Sequence, residues 1–412
     1  MRYFVKMPEP QMRVAAMESL NRDPFAARPY YSLNDDALLI ADLSEREVEA
    51  ATRNGAQVFA DVRFSHFADL NPLQWRTPTA KYWEPEMAAV PAAVAAPAKG
   101  LNEVMEHIRA PDAWKRTRGK GVTIAIVDTG VCGTLKEIPL SKRSPLAIPT
   151  QDHRNHWQDG IGHGSMCAVI AAGSRDQGGK FNGVAPEATV LSARTTLYSS
   201  DIYSIYDHLV TWKRGGIIKD PLVVSNSYGM YTCKPSETLP EDHPYASIVL
   251  LGIQEGITVV FAAGNNHYDV LCNYDPALCS PNSIWGVNSL DQVISVGTVN
   301  ENNVNQDEST PHVNSSRGPG QWARAYPKPD VVAPTYGEVV WGCNYQGMNW
   351  WGTSGACPQV AGLAALILSV DPKRNPQEVA EIIRSTATRL DNTAPTCVGH
   401  GLINCEAAVA AV

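Results

Sequence analysis

Residues 121–131 read GVTIAIVDTGV, an apolar, β-branched run that ends in Asp128, Thr129 and Gly130. Alternate residues of a strand point to opposite sides, so a run that is apolar at successive positions is a strand buried on both faces. Similar runs recur at 190–193, 222–224, 258–261, 293–296 and 331–332, with helical stretches between most of them. Strands of this kind alternating with helices predict an α/β fold, with a mostly parallel central sheet covered by helices on both faces. Reactive groups in such sheets gather at the carboxyl ends of the strands. Asp128, Asn226 and Asn265 each stand at such an end.

The pattern before this region is different. Residues 2–7 read as a strand, 12–20 as a helix, 38–43 as a strand and 56–64 as another. Ser44-Glu45-Arg46-Glu47 is a capping box opening a short helix to about Asn54, where Gly55 stops it. Residues 1–66 therefore predict a small α+β domain and 101–412 the main domain. Residues 67–100, rich in Pro and Ala and without period, read as a linker open to proteolysis. Trp75, Tyr82 and Trp83 instead suit an ordered meander packed on the main domain.

Of the 412 residues, 44% are hydrophobic and 18% charged, and the net charge is −8. That balance lacks the basic face of a nucleic-acid binder and offers an anionic membrane nothing to attract. No apolar run reaches the roughly 18 residues of a bilayer span; the tract 87–98 is cut by Pro91 and Pro97. The start, MRYFVKMPEPQMR, has no apolar signal core, which predicts an intracellular protein or one whose export signal has been removed. Nine cysteines without a CxxC pair read mostly as reduced, buried small hydrophobes, although Cys272/Cys279 and Cys397/Cys405 are close enough to bridge in an oxidising compartment. His153 and His156 read as loop histidines, and no cluster has zinc-ligand spacing, so no metal site is expected.

Three segments carry the chemistry. Asp128 follows the first strand of the main domain; His163 sits between glycines in GIGHGSMCAVIAAG (160–173); Ser354 opens the long apolar helix of GTSGACPQVAGLAALIL (352–368). A serine hydroxyl needs a base within hydrogen-bond reach to act as a nucleophile, and the base needs an orienting carboxylate. The order Asp, His, Ser, with separations of 35 and 191 residues, resembles that of the subtilisin-like serine proteases. NGVAP (182–186), SNSYG (225–229), FAAGN (261–265), SSRGP (315–319), KPDVVAP (328–334) and GLIN (401–404) also resemble that family, and the likeness spans about 105–412.

The resemblance implies a serine endopeptidase acting on protein or peptide substrates, with Asp128, His163 and Ser354 as the triad and Asn265 as oxyanion donor beside the Ser354 N–H. It implies that Ser227, Tyr228 and Gly229 pair with an extended substrate, and that Ala262, Ala263 and Gly264 share with them the pocket before the scissile bond. Residues 1–66 then look like a ferredoxin-like inhibitory propeptide, an intramolecular partner, with a processing site in 67–100; a permanently attached accessory domain is the alternative. Glu137 and the loop 174–182 fall where the family binds calcium, although Arg175 and Lys180 bring unwelcome charge. Ser165, Met166, Gly355, Cys357 and Gln359 depart from the usual family residues. Two other readings remain open, a non-catalytic peptide-binding module and a processing protease dedicated to one partner. Trp285, Trp322, Trp341, Trp350 and Trp351 form either a binding face or packing.

Overall fold

The computed structural model describes residues 1–13, 16, 29–65, 99–149, 155–268, 272–301, 309–348, 350–391 and 393–412. Four strands near the amino terminus, β1 (Arg2–Lys6), β2 (Tyr30–Tyr31), β3 (Leu38–Asp42) and β4 (Gln57–Ala60), form an antiparallel sheet in the order β2-β3-β1-β4. Its two faces serve different partners. Val5, Leu39 and Ala41 pack with Val48 and Ala51 of the helix Glu45–Arg53, while Phe4, Leu38 and Ile40 enter the core of the main domain. The capping box is present, Ser44 N donating to the Glu47 carboxylate and Glu47 N to the Ser44 hydroxyl. The expected strand at 56–64 is shorter, because Asp61 turns away to accept from Ser199 Oγ, Ser200 N and Ser200 Oγ. Most of the expected helix at 12–20 and nearly all of the linker lie outside the described residues.

The central sheet runs β10 (Ser309–Pro311), β9 (Ile294–Glu301), β8 (Thr258–Ala262), β7 (Leu222–Asn226), β5 (Thr123–Asp128), β6 (Thr189–Arg194), with β11 (Val331–Pro334) beside β9. Among the described residues, only the β9–β10 pairing of this sheet is antiparallel. Alternation within the strands divides the core. Ile124, Ile126, Val223, Val260 and Ala262 face one apolar cluster, and Ala125, Val127, Val224, Val259 and Phe261 face the other. The helix Gly352–Val370 runs through the first cluster, beside the helix His163–Ala172. It is long and apolar enough to cross a bilayer, contrary to the sequence reading, but 89% of it is buried inside the protein. A hairpin of β12 (Gly337–Trp341) and β13 (Asn344–Met348) precedes it.

The cysteine reading needs correction. Six of the nine are paired, Cys132–Cys343, Cys233–Cys272 and Cys279–Cys397, and only the buried Cys167, Cys357 and Cys405 are free. The partners stand 39 to 211 residues apart in sequence but 5.1 to 5.6 Å apart between Cα atoms. Bridging depends on that spatial approach, which short sequence spacing does not measure.

Candidate active site

Asp128 ends β5 and is almost fully buried, as is His163. Its Oδ1 accepts from Thr129 N at 2.7 Å, and His163 Nδ1 lies 2.8 Å from Oδ1 and 3.0 Å from Oδ2. An ionised carboxylate only accepts, so this contact places the imidazole proton on Nδ1 and leaves Nε2 as the basic nitrogen.

The start of the His163 helix is held by Asp159, which the sequence reading missed. Its Oδ1 accepts from Ile161 N, Gly162 N and Thr129 Oγ1, and its Oδ2 from Ser165 N and Ser165 Oγ. Thr129 Oγ1 in turn accepts from Gly164 N. A carboxylate at this end satisfies otherwise orphaned N–H groups and complements the helix dipole. Gly162, at φ +105°, meets the hairpin closely; a Cβ there would lie 2.7 Å from the Trp341 ring. Trp341 stands edge-on to His163, with ring centroids 6.0 Å apart.

Ser354 is the third residue of its helix, at the positive end of the dipole. Its Oγ donates to Ser227 O at 3.3 Å, and its carbonyl accepts from Ser227 Oγ at 2.9 Å. Cys167 links the two halves of the site, its Sγ lying 3.9 Å from His163 Nδ1 and 3.6 Å from Ser354 O. Asn265 is buried beside this turn. Its Oδ1 accepts from Thr353 N at 3.0 Å and Thr353 Oγ1 at 2.8 Å, so the amide orientation is set and Nδ2 faces Gly352. At φ +70°, with a Cβ there only 2.8 Å from that Nδ2, Gly352 leaves the donor room.

Ser227, Tyr228 and Gly229 continue from β7, and Ala262, Ala263 and Gly264 from the end of β8. The structure thus places Asp128, the segments 227–229 and 262–265, and Ser354 at the carboxyl ends of β5, β7 and β8 and the start of the Ser354 helix, with His163 at the start of its own helix and bonded to Asp128. Tyr228 is buried, and its hydroxyl meets Asn226 Oδ1 at 2.8 Å and Tyr245 at 3.3 Å.

The departures have local reasons. A Cβ on Gly355 already lies between Trp351 and Thr335, so a longer side chain finds no space. Gln359 Nε2 bonds Pro334 O and Gly355 O. Cys357 is enclosed, and burial pushes its thiol up to about 11, which makes it a packing residue and not a nucleophile. Of the five tryptophans, Trp285, Trp322, Trp350 and Trp351 are buried, Trp350 stacking on His312 at 3.9 Å. They are packing, not a face. His156 is structural as well, its Nε2 meeting Ile148 O and its Nδ1 accepting from Arg194 N; His153 lies outside the described residues.

Glu137 is fully buried, but donors surround it. Its Oε1 accepts from Lys180 N and the Tyr345 hydroxyl, and its carbonyl from Ser174 N. The Asn182 side-chain oxygen is taken by Arg175 N, and the Lys142 ammonium bonds Ala172 O and Pro186 O. Calcium needs six to eight oxygens; Glu137 Oε2 has no hydrogen-bond partner but is a single ligand. The residues do not fit that ion. Among the described residues, the one cluster of three metal-ligating side chains is Asp128, His163 and Cys167, and a metal there would compete for the His163 Nδ1 already bonded to Asp128.

Comparisons with known proteins place the chain in a family. The family model for the subtilase family matches residues 119–401. Serine protease AprX of Bacillus subtilis is 29% identical over 316 residues, 71% of this chain, and the match spans 66% of that protein. M-protease of Shouchella clausii is 27% identical over 380 residues, 91% of this chain and 85% of that one. The crystal structure of MycP1 with the N-terminal propeptide removed superposes with a TM-score of 0.55 at 25% identity, over 74% of this chain and 96% of that one.

Proposed function

The chain belongs to the subtilase family, and on that premise we propose that it is a serine endopeptidase whose nucleophile is Ser354. His163 Nε2 takes the hydroxyl proton as Ser354 Oγ attacks the peptide carbonyl, then returns it to the leaving amine. Asp128 holds the tautomer and stabilises the imidazolium. Asn265 Nδ2 and the Ser354 N–H receive the oxyanion, and water then releases the acyl group. The observation that carries this reading is the buried Asp128–His163 contact joined through Cys167 to Ser354. The test is labelling by a fluorophosphonate probe. Labelling at Ser354 that disappears in His163→Ala and Ser354→Ala is expected. A wild-type chain that takes no label, yet binds peptides, would make it a binding module instead.

We propose further that residues 1–66 are an intramolecular inhibitor. The segment after Asp61 lies along the edge expected to bind substrate. Ser65 and Gly229 exchange both backbone hydrogen bonds at 3.0 Å, and Phe64 N donates to Leu197 O at 2.8 Å. Phe64 is buried against Tyr228 and Tyr245, with centroids 5.8 and 5.2 Å away. Ser65 and Gly229 pair antiparallel, the sense in which a substrate strand adds to such an edge, and Ser227 on the same edge is bonded to Ser354. An accessory domain has no need to occupy this edge. The solved relative described with its N-terminal propeptide removed supports the same reading.

The rest of the contact is polar and fitted. Asp207, on the helix Ser199–Arg214, is buried and accepts from Tyr30 OH, Leu33 N, Asn34 N and Asn34 Nδ2 at 2.6 to 3.1 Å. Every one of these donors comes from the amino-terminal region. A buried carboxylate without such partners costs several kcal/mol, so Asp207 must meet water once the domain leaves.

A further inference from the structure

β7 and β8 pair in register as far as Asn226 and Phe261, and no further pairing joins the segments beyond. These segments, 227–229 and 262–264, are the two walls assigned above to the residue before the scissile bond. Where the walls part, Gly229 pairs with Ser65 and Gly264 O accepts from Ser316 N, which leaves Tyr228 O and Ala262 O to a side chain.

One side chain joins them. Asn288 Nδ2 donates to Tyr228 O at 2.8 Å and to Ala262 O at 2.8 Å. A carboxamide nitrogen carries two N–H bonds fixed in one plane, so a single Asn satisfies both carbonyls and sets the distance between them. Asn288 is only 4% exposed and sits in the helical turn Gly286–Ser289. That turn is itself braced, since Ser289 Oγ donates to Gly286 O, Trp322 N to Ser289 Oγ and Gly286 N to Gln321 Oε1. Its neighbours Trp285, Val287 and Leu290 are buried in the core beneath. The strut therefore stands on a rigid base.

We propose that Asn288 is a specificity-determining positioning residue, fixing the width of the cleft that receives the substrate side chain before the scissile bond. This rests on the endopeptidase reading and on the assignment of the two walls. Without the two N–H donors the facing carbonyl oxygens repel, the walls separate, and larger side chains gain over small ones.

The experiment measures kcat/KM for a peptide series differing only in that residue, from Ala to Leu and Phe, in wild type, Asn288→Ala and Asn288→Asp. The Phe/Ala ratio is read within each protein, so a reduced folded fraction cancels. Asn288→Asp keeps the shape but offers the two carbonyls at most one donor. We expect the ratio to rise about tenfold in both variants, worth roughly 1.4 kcal/mol, while the rate of fluorophosphonate labelling of Ser354 changes less than threefold. Ratios within twofold of wild type in both variants would overturn the proposal. A shift in Asn288→Ala alone would overturn it too, since volume and not hydrogen bonding would then set the cleft. Wild type showing no dependence on this residue would instead sink the wall assignment and the proposal with it, and absence of labelling in wild type would sink the endopeptidase reading.

Discussion

Asp128→Asn is expected to lower kcat on a peptide substrate by about 10⁴-fold at neutral pH while the fold is kept. The size of the effect follows from one oxygen. Asp128 Oδ1 accepts from both Thr129 N and His163 Nδ1. In the variant the amide oxygen stays on the Thr129 N–H, a donor that cannot change tautomer, and the NH₂ turns to His163. Nδ1 must then accept, which moves the imidazole proton to Nε2, the nitrogen that has to take the Ser354 proton. Asn has almost the volume of Asp, so the thermal midpoint should stay close to that of wild type. Steady-state kinetics beside a melting curve checks this; a loss below tenfold with a normal melt would mean that the Asp128–His163 contact is structural.

The second large effect is predicted for the amino-terminal domain. His243 is 1% exposed, between Phe4 at 4.8 Å and Phe59 at 5.4 Å, both from that domain. Its Nδ1 accepts from Tyr245 N, and Nε2 lies 3.4 Å from Ala60 O. Burial lowers its pKa from 6.5 to about 4, against smaller opposing contributions from Ala60 O and Asp242. The complex holds the neutral imidazole and the separated protein can protonate it. The associated stability is therefore complete above pH 6.5 and is lost as pH falls toward about 4, with an upper bound of about two orders of magnitude in affinity. Between pH 7 and 5, dissociation of the cleaved domain should strengthen roughly 20-fold in wild type. His243→Gln should respond less than threefold over the same interval. Equal responses would place the pH sensitivity elsewhere.

Much of the site was legible because it lies where strands end. The run 122–127 is apolar at nearly every position, and a polar residue following such a run is forced to the carboxyl edge of the sheet. His163 and Ser354 were readable for a related reason, as polar residues flanked by glycine at the mouths of apolar helices. Asp159 and Asn288 were not. Each has a polar neighbour, Gln158 and Ser289, and nothing in the sequence singles it out, because its role comes from backbone groups that only the folded chain brings near. The disulfides were misread on the same account, since Cys132 and Cys343 meet through the return of a hairpin 211 residues later. The end of the strand expected at 56–64 was lost to a tertiary competitor, the helix start at Ser199 and Ser200 that draws Asp61 out of the sheet.

The most direct measurement is the intact mass of freshly purified protein beside its Ser354→Ala variant, both held at neutral pH. We predict that the wild type falls from 44.7 kDa by the mass of a segment ending within a few residues of Ser65 or in the linker that follows, while the variant stays whole. Both proteins remaining whole, or both being cut to the same size, would contradict a Ser354-dependent release of the amino-terminal domain.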